Sequence, residues 1–237
     1  MVDNNMKQIA AEHAVKYVQD GMKIGLGTGS TAYFAIMKIG ELVQSGLRIQ
    51  AVATSKASER LAIEQGIPLS PIEQVRRLDM TIDGADELDG QLRLIKGGGG
   101  ALLREKITAF HSERLVIVAD ESKSVSRLGA FPLPVEIIPF AYEWTVEALI
   151  ELGCSVRIRR AEGGGSYFTD NGNLIADCQF ELMDEPEEIA ARLSRIPGVV
   201  EHGLFVGMAD QAIIGCHDGT VRMVQARERS GKIVFDS

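Results

Sequence analysis

The segment LVIVA at residues 115–119 is apolar at every position, and a strand written that way has to be covered on both of its faces. Residues 6–19 place Ile9, Ala10, His13, Ala14 and Tyr17 at helical spacing, with Gly21 closing the helix. A short apolar strand follows at 22–26, then a small-residue loop at 27–31 and a second amphipathic helix at 32–43 that ends near Gly46. Residues 47–54 alternate as LRIQAVAT, a strand, and residues 55–65 read as a helix closed by Gly66. Strands that alternate with helices in this way predict an α/β, Rossmann-like domain with a largely parallel sheet. Ligands of such sheets bind beyond the carboxyl ends of the strands. That rule would set residues 27–31, 54–56, 83–86, 120–123 and Lys96 along one edge.

The pattern changes at Phe131-Pro-Leu-Pro. From there the order reads strand (135–138), helix (142–152), strand (155–160), strand (174–180), helix (186–196) and strand (199–205). This βαββαβ order is the split unit of a ferredoxin-like α+β domain. Asn171-Gly172 suits the turn between its middle strands, and Gly163, Gly164 and Gly165 mark an irregular hairpin end. The expected division is therefore a catalytic α/β domain of residues 1–131 plus 206–237 and a smaller α+β domain of residues 132–205. Residues 211–215 and 219–224 read as a final hairpin rejoining the first domain, and residues 227–237 as a polar tail.

The chain has 237 residues, 45% of them apolar, enough to bury a sizeable core. A formal net charge of −8 without a run of Lys or Arg argues against a nucleic-acid surface. No apolar stretch approaches the ~20 residues of a membrane span, and the N-terminus lacks a secretory core, so a cytoplasmic protein is expected. Cys154, Cys178 and Cys216 are widely spaced and expected to be buried thiols. His13, His111, His202 and His217 form no ligand pattern, so no metal site is expected.

Chemistry concentrates in residues 78–106, LDMTIDGADELDGQLRLIKGGGGALLREK. Asp83 and Asp86 follow a short apolar run, where a strand ends at Gly84. Lys96 ends a second run, 92–95. Gly97, Gly98, Gly99 and Gly100 form a loop whose amides can approach a ligand, and residues 101–107 begin a helix carrying Glu105. Read singly, the aspartates suit an ordinary surface turn and Glu105 an exposed helix position. Read together, they place carboxylates and a cation in one crevice. Gly27-Thr-Gly-Ser-Thr-Ala32 fits the dinucleotide fingerprint GxGxxA between a strand and a helix, but no acid closes the next strand. A loop suited to one phosphate or to sugar hydroxyls remains, while Lys56 keeps an NADP-linked oxidoreductase open as an alternative. Lys123, also at a strand end, is as well placed for a ligand as for solvent.

On these motifs the chain resembles the ribose-5-phosphate isomerase A family. The resemblance rests on GTGST (27–31), TSKAS (54–58), DGADE (83–87), KGGGGALLREK (96–106), ADESK (119–123), FPLPVEIIP (131–139), TDNGN (169–173) and IPGVVEHGLF (196–205). Gly100 departs from it, since alanine is frequent there, and the C-terminus is longer and polar. The resemblance implies aldose-ketose isomerisation of D-ribose 5-phosphate and D-ribulose 5-phosphate through an enediol, in the non-oxidative pentose phosphate pathway, with no cofactor. It implies Glu105 as the base and Lys96, with the glycine amides, as stabiliser of the enediolate. Asp83 and Asp86 would open the sugar ring and hold its hydroxyls. Thr28, Gly29, Ser30, Thr31, Gly84, Ala85, Gly97, Gly98, Gly99 and Lys123 would line the substrate site. A homodimer, or a tetramer, is implied as well, with the small domain as lid or interface. A sugar-phosphate-sensing regulator is the non-enzymatic alternative, although the single N-terminal helix offers no DNA-binding module.

Overall fold

The computed structural model describes residues 2–226. In chain order the first elements are α1 (Val2–Val15), β1 (Lys23–Leu26), α2 (Ser30–Gln44), β2 (Gln50–Ala53), α3 (Lys56–Glu64), β3 (Leu78–Gly84), β4 (Glu87–Leu88), β5 (Leu94–Ile95), α4 (Leu102–Phe110) and β6 (Ser112–Asp120). There follow β7 (Leu133–Ile137), α5 (Tyr142–Ile150), β8 (Ser155–Ile158), β9 (Leu174–Gln179), α6 (Pro186–Leu193), β10 (Val199–His202), β11 (Leu204–Phe205), β12 (Gln211–Gly215) and β13 (Val221–Gln225).

The central sheet runs β13-β12-β6-β3-β1-β2 and is parallel except for β13, which pairs antiparallel with β12 at one edge. β6 shows why an uninterrupted apolar run was needed. Val116 and Val118 join Ile24, Met80 and Ile82 in a core against the alanines of α1 and α2. Leu115, Ile117 and Ala119, one residue out of phase, pack on the opposite face with Leu88, Leu94, Ala109 and Phe205. That second face is covered partly by α4 and partly by a small antiparallel sheet, β11-β5-β4.

The remaining sheet, β10-β7-β9-β8, is antiparallel throughout. Numbered within the βαββαβ unit, its order is 4-1-3-2, as a split βαβ unit requires, since β9 lies between the two strands joined by α5. Its core draws in Ile95, Leu128 and Leu204 from either side of the expected boundary.

Several boundaries differ from the sequence reading. α1 ends at Val15, where Lys16, Tyr17 and Val18 bond three residues back and tighten the last turn. Gly21 (φ 85°) instead donates to the Arg48 carbonyl in the turn before β1. The run at 92–95 yields only Leu94–Ile95 as strand, because Leu92 adopts a left-handed φ of 59° in the turn. Lys96 consequently follows the small sheet, and does not end a strand of the parallel sheet as the alternation suggested. The strand expected at 199–205 divides between β10 and β11 at Gly203, which donates to the Pro134 carbonyl while its own carbonyl accepts from Lys96. Cys154 and Cys178 are buried, but Cys216 is partly exposed. The polar tail at 227–237 lies outside the described residues.

α1 reaches the sheet across a glycine. A Cβ at Gly215, in β12, would lie 2.0 Å from the Met6 carbonyl oxygen, a backbone atom that cannot swing aside. Gly215→Ala should therefore cost about 1–3 kcal/mol as an overpacked contact, read as a lower urea midpoint at unchanged slope.

Candidate active site

β1 and β3 are adjacent and parallel, so residues 27–31 and 83–86 leave the sheet side by side. They approach closely. A Cβ on Gly27 would stand 2.2 Å from Asp83 Oδ1, and that oxygen accepts from the amides of Thr28 (3.0 Å) and Gly84 (2.7 Å). Thr28 is held by a hydroxyl cluster: its Oγ1 lies 2.8 Å from Thr54 Oγ1, 2.8 Å from Ser55 Oγ and 3.1 Å from Ser58 Oγ. Gly29 (φ 113°) then turns the chain into α2, which has no side-chain cap and no acid in its first turn. Its leading amides and the helix dipole are thereby left to favour an anion.

Lys96 reaches this corner from the other sheet. Its ammonium donates to the Gly84 carbonyl at 2.6 Å and lies 3.0 Å from Asp83 Oδ2 and 3.4 Å from Glu105 Oε2. All three ionisable groups are buried, at 2% exposure for Lys96, 1% for Asp83 and 4% for Glu105. Asp83 Oδ2 and Glu105 Oε2 have no hydrogen-bond partner of their own, so the ammonium is what compensates them. The Phe205 ring, centred 5.4 Å from the ammonium, adds a cation–π contact.

Asp86 is partly exposed and turned toward the glycine loop, where its Oδ2 accepts from the Gly98 amide at 2.7 Å. A Cβ on Gly98 would meet Asp86 Oδ1 at 2.4 Å and displace that carboxylate from the amide it accepts from. Gly100 (φ 77°) is equally constrained, because a Cβ would fall 2.2 Å from the Tyr167 hydroxyl.

These elements border a cleft of about 460 Å³, the open space at its mouth included. Thr28, Gly29, Ser30, Thr31, Gly84, Ala85, Asp86, Lys96, Gly97, Gly98, Gly99, Glu105 and Lys123 line it. Asp83 does not; it sits behind the wall, bonded to the wall's own amides. Lys56 is exposed and also outside the cleft, its amide donating to Asp170. Groups that sequence reasoning passed over surround the glycine loop from the α+β unit. Arg159 donates to the Gly97 and Gly98 carbonyls, Tyr167 approaches the Gly99 carbonyl, and Asn171 accepts from Arg104 next to Glu105. Nothing in their local sequence signals this, because each contact spans more than sixty residues. Among the described residues no group of three or more His, Cys, Asp or Glu is placed to hold a metal ion, and no helix is long and apolar enough to cross a membrane.

One cation among two buried carboxylates sets the protonation. Burial pushes Glu105 up to about 8, helped by the negative charges of Asp83 and Asp86 and opposed by Lys96. Lys96 is itself raised: burial works to lower it, but the Asp83 and Glu105 charges outweigh that. At pH 7 Lys96 is therefore an ammonium and Glu105 largely keeps its proton.

The chain matches the family model for ribose 5-phosphate isomerase A (phosphoriboisomerase A) over residues 50–219. It is 53% identical to ribose-5-phosphate isomerase A of Bacillus mycoides over 216 residues, 91% of this chain and 97% of that one. The Sphingopyxis alaskensis protein of the same name is 52% identical over 223 residues, 94% and 96% of the two chains. Among solved structures, a D-ribose-5-phosphate isomerase in complex with phospho-erythronic acid superposes with a TM-score of 0.92 at 40% identity, covering 95% of this chain and all of that one. The Plasmodium falciparum ribose 5-phosphate isomerase gives 0.91 at 42%, with coverage of 95% and 100%.

A carboxyl held near 8, against an ordinary 4.5, keeps its proton in the folded chain after the unfolded chain has lost it. This group's contribution to stability must then fall as pH rises from 4.5 to about 8, where the loss is complete. Carboxyl ¹³C titration of the folded protein should show one glutamate with a midpoint near 8, absent in Glu105→Gln. Asp83→Asn removes a neighbouring negative charge and should move that midpoint down; an upward move would contradict the electrostatic account.

Proposed function

Because the chain belongs to the ribose-5-phosphate isomerase A family and interconverts D-ribose 5-phosphate and D-ribulose 5-phosphate, we propose that residues 78–106 divide this reaction among them, with Glu105 as its base. Neither the NADP-linked oxidoreductase nor the sugar-phosphate-sensing regulator finds support among the relatives. The observation that carries the assignment is Glu105 itself, a buried carboxyl in the cleft wall, 3.4 Å from an ammonium and raised to about 8.

In the open-chain aldose, the Glu105 carboxylate removes the proton on C2. The bonding pair forms the C1–C2 double bond, and the carbonyl electrons move to O1, giving an enediolate. Returning the proton to C1, and moving the O2 proton to O1, yields the ketose. A carboxyl with a midpoint near 8 both accepts and returns a proton near neutrality, work worth ~10²–10⁴ in rate. The enediolate's negative charge falls to Lys96 and the amides of the glycine loop, a set of donors held in place before the reaction. A relative binds phospho-erythronic acid, whose carboxylate carries negative charge on oxygen, as the enediolate does at O1. Asp86, at the cleft surface, is the acid placed to hold a sugar hydroxyl and assist ring opening. Asp83 acts from behind the wall by fixing Lys96 and the turns at Thr28 and Gly84. The amides and hydroxyls of Thr28, Gly29, Ser30 and Thr31, with Lys123, suit the phosphate.

The same reading includes a cytoplasmic homodimer and the division into residues 1–131 plus 206–237 and 132–205. The separate antiparallel sheet supports that division. Phe140 and Trp144, 82% and 74% exposed beside α5, support the α+β unit as the interface.

Purified protein should convert ribose 5-phosphate to the ketose at an unchanged rate in EDTA. Glu105→Gln should still bind substrate while kcat drops by ~10²–10⁴. Full turnover in that variant would overturn the base assignment, and loss of turnover in EDTA would overturn the metal-free mechanism.

A further inference from the structure

The α+β unit holds the glycine loop by its carbonyls. One nitrogen of Arg159, Nη1, donates to both the Gly97 and the Gly98 carbonyl at 3.0 Å. The rest of the guanidinium is committed to Asp177 on β9: Nη2 lies 2.5 Å from Oδ1, and Nε donates to Oδ2 at 3.1 Å. A two-pronged pair of this kind fixes the plane of the guanidinium as well as its place. The Arg159 side chain is 16% exposed, and of its two loop bonds the one to Gly97 is the more sheltered.

Across a trans peptide the C=O of one residue and the N–H of the next point opposite ways, and no peptide bond among the described residues is cis. Drawing the Gly97 carbonyl toward Arg159 therefore sends the Gly98 N–H the other way, where it meets Asp86 Oδ2 at 2.7 Å. Drawing the Gly98 carbonyl in the same direction turns the Gly99 N–H away from Arg159, on the side of the cleft that Gly99 lines. With no side chains to brace it, a run of glycines has many other conformations open to it. We propose that Arg159 is a positioning residue of the isomerisation. It touches no reacting atom, but by holding two consecutive carbonyls it aims the Gly98 amide at Asp86 and the Gly99 amide at the enediolate. The seat of the α+β unit thereby bears directly on turnover.

The inference rests on the enediolate reading above, and its test separates the two. In Arg159→Ala the Gly99 amide is free to turn, an error of about an ångström at a transition-state donor. Its kcat should drop on the order of 10–10²-fold, with KM for ribose 5-phosphate within roughly threefold of the parent. Phospho-erythronic acid should bind more weakly by about the same factor as kcat falls. Guanidinium ion, added well below unfolding concentrations, should restore much of the lost kcat. A merely structural role would not respond to it. Arg159→Lys guards against misfolding by keeping a cation opposite Asp177. One ammonium cannot grip that carboxylate with two prongs and span both carbonyls, so kcat should stay low there too. Parent-like kcat in either folded variant, a rise in KM alone, or an Arg159→Ala loss that guanidinium leaves untouched would overturn the proposal. Glu105→Gln is assayed alongside. If it keeps its turnover, the site reading fails; if it is inactive while Arg159→Ala is not, only the positioning role fails.

Discussion

A single buried ammonium answers for two buried carboxylates, and the arrangement of the site follows from that imbalance. Lys96 stands 0.4 Å nearer to Asp83 than to Glu105, at 3.0 against 3.4 Å, and also donates to the Gly84 carbonyl. Asp83 also accepts from the Thr28 and Gly84 amides, and Glu105 has no comparable donors. At Glu105 burial and the charges of Asp83 and Asp86 outweigh Lys96, and the carboxyl is raised. Two carboxylates of the same chemistry thus sit in different surroundings, because backbone amides converge on only one of them.

Such a cluster is costly to bury, and the fold offsets the cost by bringing three independent chain segments to one point. β3 delivers Asp83 from the parallel sheet, β5 delivers Lys96 from the small sheet, and the first turn of α4 delivers Glu105. The parallel pairing of β1 with β3 adds the Thr28 amide. Lys106, next to Glu105, is anchored to the His202 carbonyl at 2.6 Å and to Glu201 at 2.8 Å, so the helix that carries Glu105 is tied to β10 as well. Moving any of these elements separately would leave a charge in the core without its partner, which is far more expensive than exposing one to water.

What could be read from the chain beforehand follows from the range of the forces involved. The apolar run at 115–119 required a two-faced sheet, and residues 27–31 and 83–86 could be placed at strand ends because periodicity and glycine punctuation are local signals. Lys96 was read into the right crevice for an incomplete reason. Its strand is two residues long and belongs to another sheet, a consequence of Leu92 taking a left-handed turn conformation that no pattern in LRLIK announces. The burial of Asp83 was hidden too, since the amides that enclose it come from Thr28, 55 residues away, and from its immediate neighbour. Arg159 was legible only as a position in the strand at 155–160. Its partners on the glycine loop lie more than sixty residues earlier, and only the packing of one unit on the other brings them into range.

The four glycines at 97–100 separate into those the protein needs for itself and one it does not. A side chain at 97 would press on Leu102 at 2.9 Å, one at 98 would collide with Asp86, and one at 100 with Tyr167. At 99 a Cβ would meet only Thr28 Cγ2, at 3.5 Å, an ordinary contact, and its backbone is not in the left-handed region. Neither packing nor conformation explains glycine at that position. What a Cβ there would occupy is the cleft, between the Thr28 turn and the loop that carries Lys96. The proposed reaction gives that space a use, since an oxyanion that takes its hydrogen bond from an amide has to come against the backbone.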